Sequence, residues 1–294
     1  MTKLIQQLTL LCFLFSFLPS VNAQLSGTLT VNPDGTGDYQ SIQSAVSALV
    51  SQGVSGSTTV SITPGTYSGI IEILEIPGSS EENRVTFTSS TNNPDDVILR
   101  DSLISDGLVF NVGHIKLKYV DHVTFKDLTI ITLDDGGLGS PFTFFGGTEF
   151  VKIQIIASNQ MAYGVFAPKS LTNDFQSSDF GPNHLQIQNN SIEGNINFYN
   201  ISDEYRTKHI SLAGNRFTSE YIIFSGIENL VFTDNHVEYD INNDGTGLAL
   251  SDIHGENIVS GNYFFENNTG INVGYQESTL KIFNNFFKSH QTGI

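Results

Sequence analysis

The segment His184-Leu185-Gln186-Ile187-Gln188-Asn189-Asn190-Ser191-Ile192 holds an asparagine with an apolar residue three places before it and another two places after it. The same pattern returns as Leu212-x-x-Asn215-x-Phe217, Phe232-x-x-Asn235-x-Val237, Val259-x-x-Asn262-x-Phe264 and Ile282-x-x-Asn285-x-Phe287. Successive asparagines are 25, 20, 27 and 23 residues apart, which is the period of stacked structural units. Around each of them apolar and polar residues alternate, as in His209-Ile210-Ser211-Leu212, and a two-residue period belongs to strands. Asparagine tolerates the left-handed backbone region, so an Asn between two short strands is expected to be the bend. Bends in register bring Asn190, Asn215, Asn235, Asn262 and Asn285 into one column, where amides can hydrogen-bond from turn to turn. The expected fold is all-β: a single-stranded, right-handed parallel β-helix with an apolar interior.

The N-terminus reads as a secretory leader. Lys3 precedes an apolar run, Leu8 to Leu18, followed by Pro19 and Val21-Asn22-Ala23, a small-residue cleavage site before Gln24. The run is short for a bilayer span, so no membrane span is expected after cleavage. Cys12 belongs to this apolar core and is the chain's one cysteine, so no disulfide is expected. The domain division is then 1–23 leader, 24–58 lead-in and capping helix, and 59–294 β-helix. The last rung ends seven residues before Ile294 without an amphipathic cap, which leads us to expect either that the coil continues beyond this residue or that a partner covers it.

A mature chain of about 270 residues can bury a substantial core without crosslinks. Once Lys3 is lost with the leader, 12 basic residues face 30 acidic ones, a net charge of −18. Such a surface disfavours nucleic acid and anionic membranes as partners.

Between leader and repeats, Val31-Asn32-Pro33-Asp34-Gly35-Thr36-Gly37-Asp38 is turn-rich, with Asp38 expected to cap a helix. Ile42, Ala45, Val46, Leu49 and Val50 then share one helical face, and Gly53 stops the helix, which is expected to cover the open end of the first coil. Short strands follow at Thr59–Ile62, Ile70–Ile73, Val85–Phe87, Val97–Leu99, Leu108–Phe110, Ile115–Leu117 and from Val123 onward, where Leu128 takes the place that Asn takes later. Residues 134–137, 142–147 and 171–175 read as loops thrown out from the coil.

Asp34-Gly35-Thr36-Gly37-Asp38-Tyr39, Ile42-Gln43-x-Ala45-Val46 and Ile62-x-Pro64-Gly65-Thr66-Tyr67 together resemble the opening of pectinesterase-like members of the pectin-lyase-fold superfamily. Ile76-Pro77-Gly78, with Asn83-x-Val85-Thr86-Phe87, is similar to secreted β-helix proteins of Bacteroidota and to some polysaccharide lyases. The resemblance implies a β-helix secreted by, or displayed on, a Gram-negative bacterium. It does not carry an activity across, because the paired aspartates, arginine and glutamines of pectinesterases have no match in this chain.

Several side chains are candidates for chemistry. Tyr119-Val120-Asp121-His122 echoes a Trp-Ile-Asp-His segment of pectate lyases, whose mechanism needs calcium on carboxylates and a nearby lysine or arginine. Lys116, Lys118, Lys126, Arg206, Lys208 and Arg216 are the basic residues near such positions. Asp240-Ile241-Asn242-Asn243-Asp244-Gly245 places oxygen ligands at positions 1, 3 and 5 and glycine at 6, so Asp240, Asn242 and Asp244 are the calcium candidates, set against a plain polar turn. His184 and His209 precede neighbouring rungs and could stack. The resulting expectation is a secreted or surface module that binds polysaccharide or a cell-surface protein, with calcium the one possible cofactor. The alternative is an enzyme, a polysaccharide lyase acting on an acidic glycan ahead of an esterase.

Overall fold

In the computed structural model the chain winds as a coil, each turn giving one short strand to each of three parallel sheets. The structure describes residues 23–102, 113–133, 140–145, 149–151, 153–157, 163–166, 184–193, 195–199, 207–218, 222–238, 245–265, 268–274, 278–288 and 293. Residues 1–22 of the expected leader, the strand at 108–110, the loops at 134–137 and 171–175, Arg206, the calcium candidates Asp240, Asn242 and Asp244, and Ile294 lie outside them.

Among the described residues the first sheet stacks ten strands, from Leu25–Val31 to Thr279–Phe283. The second has nine, from Gly65–Ser68 to Phe286–Lys288, and the third eight, from Ile71–Ile73 to Thr269–Val273. Parallel strands joined by crossovers coil right-handedly, because twisted strands pack back onto their sheet that way.

Register explains the core. Phe87 pairs with Phe125 and Ile187 with Leu212, so inward residues of one coil sit on inward residues of the next. The Phe87 and Phe125 rings stack at 5.3 Å, as do Phe198 and Phe224, and Phe264 lies on Phe287 at 5.2 Å. Each stacked pair contributes about 0.5–1.5 kcal/mol beyond burial. Of the segment 142–147 expected to be a loop, residues 142–145 instead belong to the strand Ser140–Phe145 of the third sheet, paired with Gly113–Lys118, and residues 146–147 lie outside the described residues. The strand's Phe-x-Phe alternation outweighs the turn signal of Gly146-Gly147.

The corner between the first and second sheets departs from the expectation in one respect. The left-handed residue is not the repeated asparagine but the one before it: Asn189, Gly214, Asp234, Gly261 and Asn284 have φ of 55°, 65°, 54°, 69° and 54°. The asparagine that follows is thereby turned inward and buried, as at Asn215 and Asn235. Side chains and glycines alternate in this left-handed column for a steric reason. A Cβ on Gly214 would lie 2.5 Å from Asn189 Oδ1, and one on Gly261 would strike Asp234 Oδ1.

At the N-terminal end an eleven-residue helix, α1 (Ile42–Gln52), lays Ile42, Ala45, Val46, Ala48 and Leu49 against the first coil. Its N-cap is Ser41 rather than Asp38: Ser41 and Ser44 bond reciprocally in a capping box, and Gly53 ends the helix with its N–H on Leu49 O at 2.9 Å. Asp38 is occupied elsewhere, since its carboxylate accepts the Thr30 N–H and the Thr30 hydroxyl, each at 2.7 Å, and so ties the turn-rich loop to the first strand. From α1, Gln43 Oε1 accepts the Glu72 N–H at 3.1 Å and Nε2 donates to Glu72 O at 3.4 Å. This amide takes the position of a neighbouring strand and closes the edge of the third sheet.

Candidate functional site

Because strand residues alternate and the coils are in register, the outer face of the second sheet carries two columns of outward side chains. The first runs Ser191, Arg216, His236, Tyr263, Phe286; the second runs Glu193, Thr218, Glu238, Phe265, Lys288. Each position lies one or three residues after a repeated asparagine, so the inward corner also sets what the strand presents outward.

Toward the C-terminal end this face is aromatic. The His236 ring lies 5.2 Å from Tyr263 with 9° between planes, and Tyr263 lies 4.6 Å from Phe286 with 12° between planes. Phe265 flanks the column, 6.1 Å from Tyr263 and 6.4 Å from His236, and Lys288 Nζ sits 4.2 Å from the Phe265 ring centroid. These separations are those of offset stacking, so the rings lie like tiles, each leaving an edge and part of a face uncovered. Phe286 remains 53% exposed, unusual for a phenylalanine held in a strand.

The polar end of the face adjoins the rings. Arg216 Nη2 donates to Glu238 Oε2 at 2.6 Å, and His236 Nε2 lies 3.8 Å from the same oxygen. An open groove of about 490 Å³ is lined by Arg216, His236, Glu238, Tyr263 and Phe265. Apolar ring surface beside a guanidinium and a carboxylate suits a ligand with one apolar and one hydroxyl-bearing aspect, as a sugar ring has.

The residues singled out from sequence are dispersed. Asn190, Asn215, Asn235, Asn262 and Asn285 lie inside the corner: the backbone and side-chain N–H groups of each asparagine donate to the Oδ1 of the next at 2.9–3.1 Å. From Asn215 onward each Nδ2 also donates to the carbonyl three residues before the preceding asparagine, as Asn215 does to Ile187 O at 2.8 Å. Their role is therefore structural.

Lys116 and Lys118 lie on the third sheet, Lys116 opposite Glu72 in register and Lys118 over Tyr119. Lys126 is 3.4 Å from Asp127, and Lys208 is 3.6 Å from Glu228, both on or beside the first sheet. Asp121 is exposed on the turn between those sheets. His122 adopts the left-handed region at φ 57°, its carbonyl accepting the Val85 N–H. Nearby, the Glu82 carboxyl is held below the usual glutamate range by its own backbone N–H and then by the Ser80 hydroxyl. These groups do not converge with Arg216. His184 and His209 stack at 4.5 Å, both exposed, His184 just before the first-sheet strand Gln186–Gln188 and His209 within the strand Thr207–Ala213. Among the described residues no three His, Cys, Asp or Glu side chains gather at metal-binding distance.

Sequence reasoning used the rung positions that point inward and, of the outward positions on the second sheet, singled out Arg216 alone, which the structure places in the groove. The missed signal was an aromatic residue immediately after two consecutive repeated asparagines, Tyr263 and Phe286, with His236 at the same position one coil earlier.

No family model matches the chain, and no curated protein matches it. Solved structures do resemble it. A pectin methylesterase from Aspergillus niger, in deglycosylated form, is 12% identical with a TM-score of 0.54, covering 92% of this chain and 87% of its own. The Escherichia coli protein YbhC is 14% identical with a TM-score of 0.50, covering 81% of this chain and 73% of its own. A rhamnogalacturonan lyase is 13% identical with a TM-score of 0.50, covering 87% and 74% respectively. At such identities the likeness establishes the fold, a right-handed parallel β-helix, and leaves activity to the site.

Proposed function

We propose that this chain is an extracellular β-helix module that binds polysaccharide along the outer face of its second sheet. The observation that carries the reading is the outward, tiled column of half-buried His236 and Tyr263 and exposed Phe286, with Phe265 beside it and the Arg216–Glu238 pair at its end. Aromatic surface takes up the C–H faces of pyranose rings, while the charged pair bonds hydroxyls that the rings leave exposed. The leader at 1–23 puts such a face outside the cell, where glycans are the abundant polymers. The carbohydrate-acting names of two of the similar structures, a pectin methylesterase and a rhamnogalacturonan lyase, favour a glycan over a protein partner.

The test is incubation of the chain with a polysaccharide panel, following retardation in affinity gels together with the release of unsaturated and reducing ends. Retardation without new ends is the expected result. Unsaturated ends would replace the module with a lyase and direct mutagenesis to Asp121, Lys116 and Lys118.

A further inference from the structure

Resting on that reading, we infer that the second-sheet face selects neutral hexopyranose or pentopyranose polymers and discriminates against polyuronates. The two outward columns, read from Ser191 to Lys288, carry two permanent cations, Arg216 and Lys288, and two carboxylates, Glu193 and Glu238. The face is balanced. Its strongest cation is already committed: Arg216 is bonded to Glu238 at 2.6 Å, and Lys288 sits over the Phe265 ring at 4.2 Å. A polyuronate brings a negative charge on every ring, finds no cation excess to receive it, and approaches a chain of net charge −17. A neutral glycan meets neither penalty.

The local geometry provides what a neutral ring needs. The Arg216 and His236 contacts both fall on Glu238 Oε2, which leaves Oε1 to accept a ligand hydroxyl, and the guanidinium has further N–H groups beyond the one spent on Glu238. From Arg216 to Phe286 the column crosses three coil steps, about 14 Å at the spacing of paired strands, enough for a short run of sugar rings lying along the coil axis.

The experiment is affinity electrophoresis and titration calorimetry of the full chain against glucomannan, galactan and xyloglucan on one side and polygalacturonate and alginate on the other. Each is run at low and high salt, with calcium and with chelator. The expected result is binding to at least one neutral polymer that high salt leaves unchanged, with none to the acidic polymers. Tyr263→Ala and, independently, Phe265→Ser should each weaken it about tenfold, as truncating a central aromatic contact does. Glu238→Gln should do the converse: by releasing Arg216 it gives the face a net positive charge, and a salt-sensitive retardation by polygalacturonate should appear. Preference of the unmodified chain for a polyuronate, with or without calcium, would overturn the neutral selection while leaving glycan binding intact. Neutral binding indifferent to both aromatic variants would move the site off this face. Binding to no polymer would sink the polysaccharide reading itself.

Discussion

The coils between His184 and Lys288 and those between Val54 and Leu133 share one cross-section but close the corner between first and second sheets differently. In the later coils the corner is two residues, a left-handed one and a buried asparagine, repeated with little change. In the earlier coils each corner is particular. One turns through Thr63 and Pro64 with the Tyr67 hydroxyl donating to Thr63 O at 2.7 Å, one through a 3-10 turn at Pro94–Asp96, and one through Asp127 into a fully buried Leu128. Leu128 pairs with Ile153, which stands next before Asn190 in the same column. The difference is one of dependence. An apolar corner needs only apolar neighbours, whereas an asparagine corner needs another asparagine in the next coil, because each Oδ1 is satisfied by N–H groups one turn away.

That dependence can be broken from its middle. Asn215→Ala removes the acceptor for the Asn190 backbone and side-chain N–H groups and the donor to Ile187 O, all buried. Stranding such groups costs 1–3 kcal/mol each before relaxation, so an overall loss of about 4 kcal/mol is expected in denaturant unfolding. Leu128→Asn, which buries an amide among apolar neighbours, should be similarly damaging. If Asn215→Ala cost no more than an exposed substitution, the column would not be holding the later coils together.

A smaller effect sharpens the contrast in the left-handed column. Gly214→Ala places a Cβ against Asn189 Oδ1 at φ 65° and should destabilise by about 1–2 kcal/mol. Adding Asn189→Gly should recover much of this by removing the clash, while leaving the strain of a left-handed alanine. Thermal unfolding of the two variants reads the difference, and equal midpoints would show that the alternation of side chains and glycines in this column is incidental.

The smallest effect lies in the N-terminal region and depends on pH. The Thr30 backbone N–H, then the Thr30 hydroxyl, hold the Asp38 carboxyl below the usual aspartate range. A lowered carboxylate pKa contributes stability that is fully present above the unfolded value and is lost as pH falls through the folded one. Protection of the Thr30 amide against hydrogen exchange, corrected for intrinsic rate, should therefore hold at neutral pH and fall only in acid. Asp38→Asn should flatten that acid profile, and the later coils should show no matching change. An unchanged profile in the variant would remove Asp38 as the tether.

Much of the fold was legible because it is written in repeats. An inward residue must be apolar in every coil, and a corner must bend in every coil, so Ile187, Leu212 and Phe232 or Asn190, Asn215 and Asn235 announce themselves by recurrence. The left-handed residue was misplaced by one: the bend was expected at the repeated asparagine, whereas it falls on the residue before it, although Asn189, Gly214, Asp234, Gly261 and Asn284 are all types that tolerate positive φ. The cap was not legible, since Asp38 and Ser41 are equally good candidates and only the position of Thr30 decides between them.

The candidate site was the least legible part, for a physical reason. Sequence alone determined the solenoid, its strand period, its N-terminal helix and its asparagine column, because burial and backbone geometry restrict those positions residue by residue. Outward positions face water, which tolerates almost any side chain, so Glu238, Tyr263 and Phe286 do not stand out in the chain and Arg216 stood out only as a basic residue, 22 or more residues separating the members of each contact. Only the stacking of coils, which sets the register between them, brings Arg216 to 2.6 Å from Glu238 and Tyr263 to 4.6 Å from Phe286.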